Sequence, residues 1–138
     1  MKKINGIIER LHNPDIGILL VRLAVGIVFI NAGWMKLQMT EFVVPSFASM
    51  GIPAFLAYFV IYAELIGGIL LVLGVFVRYA AIVIAIIMAV ATFMVHWQAG
   101  FSLSNGGYEY TFVLGLCAIA ITTLGAGKYT VLRLVKKG

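Results

Sequence analysis

Four long apolar runs, broken by short stretches of Gly, Pro, Asn, Ser or Arg, dominate the chain. They occupy about residues 16–37, 54–77, 79–97 and 108–124. A bilayer's hydrocarbon is about 30 Å thick and takes about 20 residues of helix to cross. The pattern therefore predicts an all-α integral membrane protein, a four-transmembrane-helix bundle forming a single membrane domain over 1–138. Ahead of the first run, MKKINGIIERLHNPD carries Ile4, Ile7, Ile8 and Leu11 at weakly amphipathic spacing, which suits an interfacial helix ended by Asn13-Pro14. Asp15 is the expected N-cap of the first span. The linker QMTEFVVPSFASMGIP is too interrupted to span and too apolar for a simple wet loop. It reads as a short interfacial helix between spans 1 and 2, turned by Gly51-Ile52-Pro53. Arg78 marks a tight connection, QAGFSLSNGG a surface turn, and Gly125-Ala126-Gly127 the stop before a basic interfacial tail, KYTVLRLVKKG.

Composition narrows the picture. The chain is 63% hydrophobic and 11% charged, where a soluble domain is about 25% charged. No separate soluble domain fits beside the four runs. The net charge of +5 comes from residues at the ends and in one short turn rather than from a stripe, so no nucleic-acid partner is implied. These basic residues read as orientation signals. Lys2, Lys3, Arg10, Arg78, Lys128, Arg133, Lys136 and Lys137 collect on one side and Lys36 alone on the other. Both termini are then cytoplasmic in a multi-pass protein of the cytoplasmic (inner) membrane, as an even number of spans requires. Met1-Lys2-Lys3 lacks the short hydrophobic region and cleavage site of a signal peptide, so the first span reads as a retained anchor. The single cysteine, Cys117, excludes an intrachain disulfide and a Cys-x-x-Cys pair.

Charge inside the spans is the informative exception. Glu64 falls near the middle of the second, where an ionisable group costs about 2.5–3.5 kcal/mol even on the mildest scales and needs a partner. Counting about 1.5 Å per residue from each span's start puts Lys36, His96 and Glu109 near the outer side and Arg22 in the inner half, within a few ångströms of Glu64 in depth. By helical rotation, Arg22, Gly26, Gly33 and Lys36 share one face; Ala57, Val60, Gly67, Gly68 and Leu71 surround Glu64; Ala85, Ala89 and Thr92 lie under His96. These are small-residue faces, which let helices approach closely in lipid. The expectation is a polar track along the bundle axis, open outward and closed by Arg22.

The segments LLVRLAVGIVFINAGWMKL, Met50-Gly51-Ile52-Pro53, AELIGGILLVLGVFVRYAA, His96 and GGYEYTFVLG together resemble the DoxX family of small membrane proteins, over about residues 15–127. The resemblance implies a four-span bundle in the cytoplasmic membrane. It also implies links to quinol oxidase or thiosulfate:quinone oxidoreductase complexes or to quinone stress, with the recurring polar positions on Arg22, Lys36, Glu64, His96 and Glu109. The tail departs from relatives, with Thr130-Val131-Leu132-Arg133 in place of a Ser-Leu-Asp-like ending.

Each polar residue also has a plainer reading. Arg22 with Glu64 can be a structural ion pair, His96-Trp97 an aromatic-belt pair, and Glu109 a helix-start charge. One histidine and two acids make a weak metal signature, and no metal is assigned. Gly125-x-Gly127-Lys128 is no phosphate loop, because the first glycine of that motif would have to be Thr122. Cys117 reads as packing. The sequence supports a membrane component of a quinone-linked redox system, binding a quinone-like headgroup or relaying protons through the Arg22, Lys36, Glu64, His96 and Glu109 track. No residue carries electrons itself, so whether the chain is an enzyme stays open, and a quinone, a bound cofactor or a redox partner subunit must supply them. The alternative is a non-catalytic membrane scaffold, or a small-molecule binder or transporter. Ala81, Ala85 and Ala89 suit packing within the bundle or between copies of a homo-oligomer.

Overall fold

The computed structural model describes residues 1–137; the last residue of the basic tail, Gly138, lies outside the described residues. All regular elements among them are helical. In order they are α1 (Lys2–Arg10), α2 (Pro14–Gln38), α3 (Thr40–Ser49), α4 (Ala54–Leu73), α5 (Val77–Val90), α6 (Glu109–Leu124) and α7 (Val131–Lys137). A π-helical turn, Ala91–His96, and a short 3-10 turn, Trp97–Ala99, carry α5 onward as one continuous 23-residue rod.

Among the described residues, three helices are long and apolar enough to cross a bilayer: α2, α4 and the extended α5. The fourth apolar helix, α6, has 16 residues, about 24 Å at 1.5 Å per residue, short of a full hydrocarbon thickness. The interfacial segment between the first two spans does fold as a helix, α3, with Pro45 inside it. No residue of α1 is buried, so its apolar face takes no cover from the bundle.

Boundaries follow local chemistry. Asn13, not Asp15, caps α2: its side-chain oxygen accepts the Ile16 N–H at 3.2 Å, and Pro14 opens the helix where no N–H is needed. Asp15 is freed for another contact, because it falls in the first turn rather than before it. The link from α4 to α5 is tight because Gly74 (φ +81°) and then Phe76 (φ +50°) both adopt the left-handed region. Glycine tolerates that conformation, whereas Phe76 is strained in it.

Packing joins α2 chiefly to α4 and α5 chiefly to α6, with α4 also lying on α5. The α2–α4 contact is made by glycines. A Cβ on Gly33 would lie 2.7 Å from the Leu65 nitrogen, and one on Gly68 2.6 Å from the Gly26 carbonyl oxygen. Backbone meets backbone there, as small-residue contacts between membrane helices allow. The expected face of the third span is shifted. Ala89 is exposed and Ala85 half-buried, while Val77, Ala81, Ile84, Met88 and Thr92 face the core. Larger side chains fill the gap between α5 and α6, so a stripe of alanines does not identify the inner face.

Gly68→Ala is expected to force α2 and α4 apart and cost about 1–3 kcal/mol, measured as a lowered unfolding midpoint in detergent. Gly17→Ala, where a Cβ meets nothing within 4 Å, is expected to be neutral or to add up to about 1 kcal/mol. Equal midpoints for the two variants would contradict the close contact.

Candidate functional site

The antiparallel register of α2 and α4 decides which charges can meet. Gly33 lies against Leu65 and Gly26 against Gly68 and Val72, so Lys36 comes level with the middle of α4 and Arg22 with its C-terminal end. Side chains lean toward the N-terminus of their own helix. In antiparallel neighbours this tilts Lys36 and Glu64 toward one another. Lys36 Nζ donates to both Glu64 carboxylate oxygens at 2.9 Å. It is the only ion pair among the described residues. Glu64 is 1% exposed and Lys36 33% exposed, so the pair has a dry acid behind and an ammonium that reaches the surface.

Arg22 does not pair with Glu64. In the observed register it stands beside Gly74, where an added Cβ would lie 2.7 Å from Nη2, ten residues and about 15 Å of helix beyond Glu64. The depth count failed because it started both helices flush. Arg22 Nε donates to the Leu71 carbonyl at 2.9 Å and Nη2 to Val72 at 3.2 Å, while Nη1 donates to Ala126 and Tyr129, each at 2.8 Å. Leu71 and Val72 carry two of the last four carbonyls of α4, which have no partner within the helix. A buried guanidinium thus caps α4 and staples the segment after α6 onto it. That role had one sequence signal, the glycine-rich stop at Gly125-Ala126-Gly127, which exposes carbonyls but does not say to whom.

The outer polar residues are committed to a loop. His96 Nδ1 lies 2.8 Å from the Gly106 carbonyl oxygen. A carbonyl only accepts, so Nδ1 carries the proton in the neutral ring and Nε2 keeps its lone pair. Glu109 Oε2 accepts the Leu103 N–H at 3.0 Å, reaching back from the first turn of α6 into the preceding loop. Rings brace the same region: Trp97 stacks on Tyr108 with centroids 5.1 Å apart, and Phe93 and Phe101 pack on either side. Below it, Thr92 and Thr111 meet at 2.8 Å, joining the π-helical turn to α6. The five predicted residues therefore form three groups: Arg22 at one end, Lys36 with Glu64 further along, and His96 with Glu109 at the loop. No hydrogen bond among the described residues links one group to another, and no cluster of three His, Cys, Asp or Glu side chains suits a metal there.

Chemically, the Lys36–Glu64 pair sets a partly exposed charged donor against a buried carboxylate. The ammonium can donate to an oxygen arriving from the exposed side while the carboxylate holds its charge in place.

A family model described as DoxX matches residues 17–97. The chain is also 34% identical over 108 residues to "Putative oxidoreductase CatD" of Bacillus subtilis (strain 168), covering 78% of this chain and 80% of that protein. No solved structure matches.

Arg22→Lys is expected to release the segment after α6, since one ammonium cannot serve four carbonyls. Losing even one charged hydrogen bond of about 1.5–3 kcal/mol should speed limited proteolysis after Lys128 about tenfold or more. Unchanged cutting would show that the staple is dispensable.

Proposed function

The chain belongs to the DoxX family and is a multi-pass membrane protein in contact with the bilayer, and from that premise we propose that it is the membrane component of a quinone-linked redox system. The Lys36–Glu64 pair carries this reading. A relative bearing the name oxidoreductase supports it. The site takes a quinone-like headgroup at Lys36. Reduction to a quinol adds two electrons and two protons, and the electrons enter from a bound cofactor or a redox partner subunit. As negative charge grows on the ring oxygen facing Lys36, Nζ passes it a proton and is reprotonated from water on its exposed side. Glu64 keeps the amine in place through contacts from both of its oxygens.

In this reading α6 completes a single four-span domain, its ends extended through the interface, with both termini cytoplasmic in the inner membrane. His96 Nε2, with its lone pair free, is the candidate second proton carrier, on the outer side where Lys36 also lies; Arg22 and Glu109 position the bundle's ends. Self-association through exposed small residues such as Ala89 is compatible with this arrangement. One observation favours the rival scaffold reading: Arg22, His96 and Glu109 all bond to backbone rather than to one another.

The test is the quinone content of protein purified in mild detergent, by mass spectrometry, together with quinone reduction in membranes. Lys36→Met and Glu64→Gln are each expected to lower bound quinone about tenfold, as loss of one charged hydrogen bond would. If folded protein of both variants keeps wild-type quinone content and turnover, the scaffold reading replaces this one.

A further inference from the structure

At the end of the bundle away from Lys36, a groove of about 380 Å³ runs between α7 and the ends of α2 and α4. We propose that it binds one anionic phospholipid, with the phosphate held by Lys128 and Arg133 and the first part of an acyl chain lying on Leu19, Leu73 and Leu134.

The groove has the polarity of the lipid itself. Its lining is mostly apolar and includes two cations, Lys128 and Arg133. Neither cation has a carboxylate partner among the described residues. The acid beside them, Asp15, spends Oδ1 on the backbone N–H of Lys128 at 3.1 Å, not on its ammonium. Arginine and lysine so placed suit a phosphate: the guanidinium offers a two-pronged donor and the ammonium a point charge. Basic pockets between membrane helices take lipid headgroups by this chemistry.

The groove is also built rather than incidental. Arg22 fixes its Tyr129 wall through the backbone carbonyl. Thr130 is buried, fits against Gly74, and accepts the Arg133 N–H at 3.2 Å, which sets the start of α7. Arg133 and Lys128 are thereby held on one segment whose position the core determines. A free phosphate would leave the lining leucines uncovered, whereas a lipid covers them.

The full-length protein is reconstituted in nanodiscs of phosphatidylcholine with a minor fraction of phosphatidylglycerol, and retained lipid is read by native mass spectrometry. Wild type is expected to retain one phosphatidylglycerol. Lys128→Gln with Arg133→Gln is expected to reduce retention about tenfold or more, in line with two surface cations acting on an anionic lipid. Lys3→Gln with Arg10→Gln removes the same charge elsewhere and is expected to keep it. Leu19→Trp fills the groove without changing charge and is expected to lose the lipid, so the proposal stays testable should the double variant fail to fold. No preference over phosphatidylcholine, equal loss in the Lys3 and Arg10 control, or displacement by inorganic phosphate would each overturn it.

Discussion

A carboxylate with 1% exposure inside a bundle of apolar helices has to be neutralised, and that need organises this fold. Glu64 obtains both of its contacts from Lys36 at 2.9 Å. The pair forms only if α2 and α4 run antiparallel in one register, and that register is available only because glycines let the backbones touch. Removing one partner of a buried pair leaves an uncompensated charge and costs about 3–5 kcal/mol; the partial exposure of Lys36 lowers that here. The interaction therefore acts less as a source of stability than as a condition on which alignment of the two helices can persist.

The two cations of α2 divide between them the tasks that the helix ends impose. Arg22 has no acid partner among the described residues and satisfies orphan carbonyls instead, joining α4 to the segment after α6. Lys36 keeps a third of its surface outside, where a ligand can reach it. Substituting one for the other would fail at both sites. A planar fork serves several carbonyls at once, while a compact ammonium sits between two carboxylate oxygens.

Much of this was legible in the sequence. The apolar runs located α2, α4, α5 and α6, the interrupted linker announced α3, and the faces of α2 and α4 around Arg22, Gly26, Gly33, Glu64 and Gly68 are the buried ones. Partner choice was not legible. Depth counted from helix starts paired Arg22 with Glu64, because nothing in a sequence says by how many residues two antiparallel helices are offset. The inner face of α5 was misjudged for a related reason: a membrane helix is apolar all round, so periodicity barely separates core from lipid, and the alanines at 85 and 89 look as suitable as Ile84 and Met88. The attachment of His96 and Glu109 to Gly106 and Leu103 depends on loop shape, which spacing does not encode.

The most direct measurement is a double-mutant cycle on Lys36 and Glu64, with unfolding followed in detergent for wild type, Lys36→Met, Glu64→Leu and the double variant. If the pair neutralises a buried charge, Lys36→Met is the most destabilised of the four. The double variant then recovers much of that loss, giving a coupling of at least about 1 kcal/mol. Additivity within about 0.5 kcal/mol would show that the two side chains do not depend on one another and that some other interaction sets the register of α2 and α4.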